Sequence, residues 1–389
     1  MSTRAAPLSG LPLLEDLGEI GGKRVLLRAD LNVPLDDHDG EMVIADEFRI
    51  RAALPTVEWL TDRGAEVVCC SHLGRPSGAP DRRYSLAPVA SRMAELAPGV
   101  SVMENLRFDP GETENDAAFV RRLIDGFDAY VNDAFGACHR SHASIVGPPL
   151  YLPSAAGRLL ELEVATLGAL LNDPPRPFVA IVGGAKVADK LGVLRALAKV
   201  ADTIIVGGGM AFTFLAAQGR SVGSSLCDEA KIDECREILH GPATILLPSD
   251  IVALEAGCSF GHGCQDGEVR IVDGDLPDGW TGLDIGPVSA QTFSETVRAA
   301  GTVLWNGPMG AFEDRRFEAG TRSVAQAVAE TAAMSIVGGG DSARAIDDFG
   351  LAEKIDFLST GGGASLEFLE HGDLPALAAL RAAPNAPRI

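Results

Sequence analysis

Five short apolar runs in the second half of the chain each end in a glycine cluster, and this pattern restricts the fold more than any other feature. They are Ala180-Ile-Val-Gly-Gly-Ala-Lys186, Ile204-Ile-Val-Gly-Gly-Gly-Met210, Val303-Leu-Trp-Asn-Gly-Pro-Met-Gly310, Ile336-Val-Gly-Gly-Gly-Asp-Ser342 and Phe357-Leu-Ser-Thr-Gly-Gly-Gly-Ala-Ser365. Each run reads as a strand of a parallel sheet, and each cluster as the turn leading into a helix. Glycine there lets a ligand reach the backbone, and the free N–H groups of the following helix favour an anion. Five such turns in one domain predict a polyphosphate site.

The first half shows the same rhythm without the glycine turns. Strands are expected at Val25 to Arg28, Glu66 to Cys70, Val100 to Met103 and Ala129 to Asn132, with helices near Arg51 to Arg63, Ala87 to Leu96 and Ala117 to Ile124. A further strand is expected at Thr244 to Pro248, and the polar, glycine-rich stretch from Gly257 to Gly282 reads as a loop or small hairpin. Ser154 to Leu171 reads as one continuous helix that stops at Asn172-Asp-Pro-Pro175. A chain of 389 residues is long for one core. The expected class is therefore α/β, with two doubly wound parallel-sheet (Rossmann-like) domains joined by an interdomain helix and hinge. The expected boundaries are 1–153, an interdomain helix at 154–172, a second domain at 173–371, and a tail at 372–389 returning to the N-terminal domain.

Charge narrows the partners. Lys+Arg 33 against Asp+Glu 54 leaves −21, which argues against nucleic acid or an anionic membrane as a partner held by the overall field. An anionic substrate must then be held by a local positive cluster. We find no apolar run of membrane-spanning length and no secretory core segment in Met1 to Gly22, and the seven cysteines without a C-x-x-C read as a reduced set. A cytoplasmic location is expected.

In open α/β sheets ligands lie beyond the carboxyl ends of the strands. Those positions hold Asp30-Leu-Asn32, Ser71-His-Leu-Gly-Arg75, Glu104-Asn-Leu-Arg107 and Asp133 to Arg140. Arg75, Arg107 and Arg140 recur there, with Arg28 and Arg49 nearby, and such arginines make a bidentate anion site. In the second half Lys186 and Lys190, two of only six lysines, stand four apart beside a glycine turn, as expected for one helix face near phosphates. Asp341 and Ser342 follow Gly338-Gly-Gly340, where they can cap a helix while Asp341 ligates magnesium and Ser342 meets a phosphate. His139 and His142 fit anion binding or packing better than a metal, and Cys258, His262 and Cys264 lack a fourth ligand at zinc spacing. Neither G-x-x-x-x-G-K-[ST] nor G-x-G-x-x-G occurs at these turns.

These segments resemble the phosphoglycerate kinase family. The resemblance runs through Val25-Leu-Leu-Arg-Ala-Asp-Leu-Asn-Val-Pro34, Ser71-His-Leu-Gly-Arg-Pro76, Glu104-Asn-Leu-Arg-Phe108 and Tyr130-Val-Asn-Asp-Ala-Phe-Gly136 with His139-Arg140. It continues in Gly183-Gly-Ala-Lys-Val-Ala-Asp-Lys190, Gly207-Gly-Gly-Met-Ala-Phe-Thr-Phe214, Trp305-Asn-Gly-Pro308, Gly338-Gly-Gly-Asp341 and Ser359-Thr-Gly-Gly-Gly-Ala-Ser365, in the family's order. It implies reversible transfer of the acyl phosphate of 1,3-bisphosphoglycerate to ADP, giving 3-phosphoglycerate and ATP, with Mg2+. It places Asp30, Leu31, Asn32, Arg49, His72, Leu73, Gly74, Arg75, Arg107 and Arg140 on the phosphoglycerate. Gly183, Ala185, Gly207, Gly208, Gly282, Leu283 and Pro308 would line the adenine and ribose pocket, with Glu313 on the ribose. Lys186, Lys190, Asn306, Gly339, Gly340, Asp341 and Ser342 would meet phosphates and metal. Arg49, Lys186, Lys190 and the amides of Gly340 and Gly363 would carry catalysis. Ser342 stands where the family usually has threonine, Thr281 where it usually has methionine, Met103 where it has leucine, and Leu162 where it has a charge.

The attacking group is already ionised, so no general base is needed, and catalysis must come from positioning and charge neutralisation. A hinge closure that excludes water is expected, with compaction in solution scattering as its signature. A monomer is expected too, since two complete α/β domains cover their own cores. A dinucleotide oxidoreductase lacks its fingerprint here. A non-catalytic nucleotide-binding protein of the same fold is the alternative, and it would be favoured by loss of Arg49, Lys190 or Asp341, all of which are present.

Overall fold

The computed structural model describes residues 8–385. They divide into two compact units, one running to Gly168 and resuming at Gly372, the other from Ala169 to His371. The division falls inside the helix Arg158–Asn172.

The first unit is built on a parallel sheet in the order Ser101–Val102, Glu66–Cys70, Arg24–Ala29, Ala129–Asp133, Ser154–Ala156. Val25 pairs with Val67 on one side and Ala129 on the other, so the Arg24–Ala29 strand is central. Its run Val25, Leu26, Leu27 is fully buried, as a strand covered on both faces must be, and each such side chain contributes about 1.5–3 kcal/mol. The chain first builds outward from this strand to Ser101–Val102 and then returns to add Ala129–Asp133 on the other side, so the order reverses between Arg24–Ala29 and Ala129–Asp133.

Two departures from the sequence reading occur here. Ser154–Ala156 is a buried edge strand paired with Tyr130 to Asn132, not the first turn of a helix. The helix starts at Arg158 because the Asp133 carboxylate, at the end of the Ala129 strand, accepts the amides of Leu159 (2.9 Å) and Leu160 (3.1 Å) and caps it there. Burial raises Asp133 to about 6 despite these bonds. The hairpin Leu35–His38 with Glu41–Ile44 is also absent from the sequence reading, because Leu-Asp-Asp-His has no apolar alternation.

The end of the described chain belongs to this unit. In the helix Pro375–Arg381, the Ala376 amide donates to the Cys138 carbonyl at 3.1 Å. The Asn385 side chain pairs with the Ser154 backbone, accepting from its N–H (2.8 Å) and donating to its C=O (3.1 Å). Residues 386–389 of the expected tail lie outside the described residues.

The second unit carries a six-stranded parallel sheet in the order Thr244–Leu246, Thr203–Val206, Phe178–Val182, Thr302–Asn306, Met334–Gly338, Phe357–Leu358. The five strands from Thr203–Val206 to Phe357–Leu358 are the five glycine-ended runs, side by side. Four of their turns lead into helices: Leu191–Leu197 after a 3-10 turn, Ala211–Ala217, Gly340–Asp348 and Gly363–His371. The turn after Asn306 does not; its helix begins only at Ala319, beyond the 3-10 turn Arg315–Phe317. The stretch 257–282 contributes the strand Val269–Asp273, which pairs antiparallel with Asp250–Leu254, itself paired antiparallel with Thr281–Ile285. The order reverses between Phe178–Val182 and Thr302–Asn306, and this is where a ligand crevice is expected.

Candidate active site

In the first unit the strand ends bring the basic residues to one place. Arg28 is buried and uses its whole guanidinium: Nε donates to Ser144 Oγ (3.0 Å), one terminal nitrogen to the Ala29 carbonyl (2.6 Å), and the other to His72 Nδ1 (2.9 Å). Arg49, in the first turn of the helix Phe48–Thr61, pairs with buried Asp30. Asn32 Oδ1 accepts the Gly74 amide (2.8 Å), and Arg107 donates to the Gly74 carbonyl (2.7 Å), so three strand-end loops are laced together. Leu31 and Leu73 belong to the core; only their backbones serve the loops, through Ser71 Oγ and Asn105 Nδ2.

The field here is positive. Burial and the neighbouring charges of Arg140, Arg28 and Arg75 bring Arg107 down to about 10, with Glu112 opposing. Burial, then Arg28, Arg107, Arg49 and His142, holds the His72 imidazole well below its usual range. His142 is pushed to about 4 by burial and by Arg107, Arg140, Arg28 and His139. Imidazoles kept neutral beside several arginines show how positive the field is, and such a field favours an anion.

In the second unit the glycine turns abut backbone to backbone across the point where the strand order reverses. The Gly183 amide donates to the Asn306 carbonyl (2.9 Å), Gly184 to Pro308 (3.1 Å), and Gly208 to Met309 (2.9 Å). A Cβ on Gly183 would lie 2.1 Å from the Pro308 carbonyl oxygen, and one on Gly307, whose φ is +101°, 2.3 Å from that of Gly183. Lys190 straddles the same seam, donating to Gly183 O (2.7 Å), Asn306 O (3.1 Å) and Asn306 Oδ1 (2.7 Å). Burial lowers its ammonium to about 8, with Asp341 and Asp189 pulling the other way.

Above the seam is a cavity of about 380 Å3 lined by Gly184, Ala185, Lys186, Asp189, Lys190, Asn306, Gly307 and Gly339 to Ser342. It adjoins a second, of about 460 Å3, through the shared Gly184, Ala185 and Asp341. The second is more apolar, walled by Phe212, Leu226, Phe260, Gly282, Leu283 and Pro308, with exposed Glu313 at its rim. A larger recess of about 750 Å3 beside the helix Pro287–Arg298 has none of these turns.

Several expectations need correction. Lys186 and Lys190 do not share a helix face: Lys186 is in the turn, and the α-helix proper starts at Leu191, although both line the same cavity. Gly183 and Gly207 lie beneath the cavities, Gly207 against Met309, and do not line either. Gly363 opens its helix without lining either cavity. Ser342 lines the smaller cavity as expected, with its side chain buried and its Oγ accepting the Gly307 amide at 2.5 Å. Phe260 and Leu226 belong to none of the sequence motifs; an aromatic in a glycine-rich stretch and a lone apolar residue after Ser224-Ser225 are the only sequence signals they carry. Among the described residues, no three of His, Cys, Asp and Glu stand where they could hold a metal, and Cys258, His262 and Cys264 are no exception.

Two α/β units, one with an arginine cluster at its strand ends and the other with glycine turns and lysines around a cavity, describe an enzyme of the phosphotransferase class. A family model described as phosphoglycerate kinase matches residues 14–102 and 97–372. A phosphoglycerate kinase of Parafrankia sp. is 48% identical, with 94% of this chain and 99% of that protein covered. One of Rubrobacter xylanophilus is also 48% identical, over 93% of this chain and 96% of the other. The solved phosphoglycerate kinase of Coxiella burnetii superposes with a TM-score of 0.82 at 38% identity, covering 93% of this chain and 97% of that one. The chain belongs to the phosphoglycerate kinase family.

Proposed function

We propose that the chain transfers the acyl phosphate of 1,3-bisphosphoglycerate to ADP, reversibly, giving 3-phosphoglycerate and ATP. Family membership supports the reaction, and the cavity framed by Lys186, Lys190, Asn306 and Asp341 over glycine amides is the observation that carries the nucleotide half. The phosphoglycerate is held in the first unit by Asp30, Asn32, Arg49, His72, Arg75, Arg107 and Arg140, and by the Leu31, Leu73 and Gly74 backbone. Adenine enters the apolar cavity, the ribose meets Glu313, and the phosphates lie over Gly339, Gly340 and Lys190. Arg49 and Lys190 neutralise charge on the transferring group. The amides of Gly340 and Gly363 stand at helix starts on the same sheet edge and favour negative charge there. The enzyme acts as a cytoplasmic monomer.

Asp341 fits magnesium: its exposed carboxylate opens the helix Gly340–Asp348 on the phosphate cavity, and magnesium takes one or two carboxylates plus phosphate oxygens rather than a protein cage. When bound, the ion would neutralise phosphate oxygens. Asp341→Asn should raise the magnesium concentration for half-maximal rate by about tenfold; an unchanged magnesium titration would remove Asp341 as the ligand.

A coupled assay with 3-phosphoglycerate, ATP and Mg2+, reading NADH consumed by a dehydrogenase acting on the product, tests the reaction. Well-folded protein without magnesium-dependent turnover would favour the non-catalytic reading. Arg49→Ala should lower kcat about 100-fold with a smaller change in KM for 3-phosphoglycerate. A near-normal kcat would take Arg49 off the transferring group.

A further inference from the structure

Behind the arginine cluster lies a buried carboxylate that the proposed mechanism does not use. Glu112 is fully buried in the 3-10 turn Pro110–Glu112. Its two oxygens accept the Ser144 amide (2.8 Å) and the Ser144 hydroxyl (2.6 Å), and one lies 3.9 Å from His142 Nδ1. Ser144, also fully buried, has its hydroxyl proton committed to Glu112, so its oxygen is left as an acceptor for Arg28 Nε at 3.0 Å.

Arg28 then reaches His72 Nδ1 at 2.9 Å. An arginine has donors only, so Nδ1 must accept and the ring proton must sit on Nε2. The carbonyl of Ala29 fixes the other arm of the guanidinium at 2.6 Å, so the fork cannot turn away from His72 without losing that bond. Each link has one chemically allowed direction, and Glu112 and Ser144 hold the guanidinium in the place from which it donates to His72.

We infer that Glu112 and Ser144 are positioning residues which, through Arg28, hold His72 as the Nε2–H tautomer and so make it a hydrogen-bond donor to the anionic substrate. The inference rests on the reading of His72 as a phosphoglycerate contact. Glu112 also supplies the negative charge that opposes the mutual repulsion felt by Arg107 among Arg28, Arg75 and Arg140.

The ring nitrogens of 15N-histidine-labelled protein report the tautomer directly. The unaltered protein should show His72 with Nδ1 unprotonated and Nε2 protonated, and 3-phosphoglycerate should shift the Nε2 signal. Ser144→Ala removes the acceptor for Arg28 Nε. It should mix the two His72 tautomers and raise KM for 3-phosphoglycerate about tenfold, with kcat and KM for ATP little changed. A merely structural role would not move the tautomer. Protonation of His72 on Nδ1 in the unaltered protein overturns the relay, and that measurement needs no variant to fold. An unmoved tautomer and KM in folded Ser144→Ala overturn it as well. If 3-phosphoglycerate leaves the His72 signals untouched in the unaltered protein, the substrate site itself is wrong, and the donor role falls with it.

Discussion

Lys190→Ala should lower kcat by about 10²–10³-fold while leaving the affinity for 3-phosphoglycerate largely intact. The side chain stands where the strand order reverses, the ammonium donating to Gly183 O, Asn306 O and Asn306 Oδ1 and facing the phosphate cavity. The basic cluster of the first unit contains no part of it, so the loss should appear in turnover and in nucleotide kinetics. Equal damage to 3-phosphoglycerate binding, measured by calorimetry, would contradict the assigned role. The pH profile gives a second reading. Burial sets the free-enzyme ammonium at about 8, so kcat/KM for nucleotide should fall above that pH, and the residual activity of Lys190→Ala should lack that limb. A lysine depressed below its unfolded value penalises the fold below about 8, and stability rises as pH climbs from there toward about 10.4.

Gly183→Ala should destabilise the second unit by about 3 kcal/mol and weaken nucleotide binding at least about 100-fold. The added methyl would lie 2.1 Å from the Pro308 carbonyl oxygen and 2.6 Å from that of Gly307. Both neighbours are backbone, so no side chain can rotate aside, and the two central turns must separate. That separation would also break the Gly183–Asn306 and Gly184–Pro308 hydrogen bonds. Thermal unfolding together with nucleotide titration checks it; a variant that binds ADP normally would mean the turns can slide apart at no cost. Because the damage lies in the second unit, 3-phosphoglycerate binding should survive.

The parts legible in the sequence are those written in strong local signals. Glycine after an apolar run marked all five strands of the second sheet that end in turns, and Ala87–Leu96 and Ala117–Ile124 fall where the apolar period put them. The weaker parts depend on distant partners. Ser154–Ala156 is a strand only because Tyr130 to Asn132 lies beside it, and its small residues carry no period of their own. The start of the next helix is set by Asp133, which lies 26 residues from Leu159 in the chain. Lys186 and Lys190 matched a helix face by spacing, but the chain takes a turn and a 3-10 segment first. Glu112, in Glu112-Thr-Glu114, looks like any surface acid until the fold buries it against Ser144.

The glycine turns bring main chain to the cavity beside Lys190, and amide N–H groups neither gain nor lose protons over the range in which enzymes work. Their share of the attraction for a polyphosphate is therefore constant with pH, whereas the Lys190 ammonium, lowered by burial to about 8, loses its charge above that pH in the free protein. In mild alkali the free protein should keep the backbone part of that attraction and lose the part that the Lys190 ammonium supplies. A backbone that does not titrate and an ammonium that does would thus answer the same anion with different pH dependence.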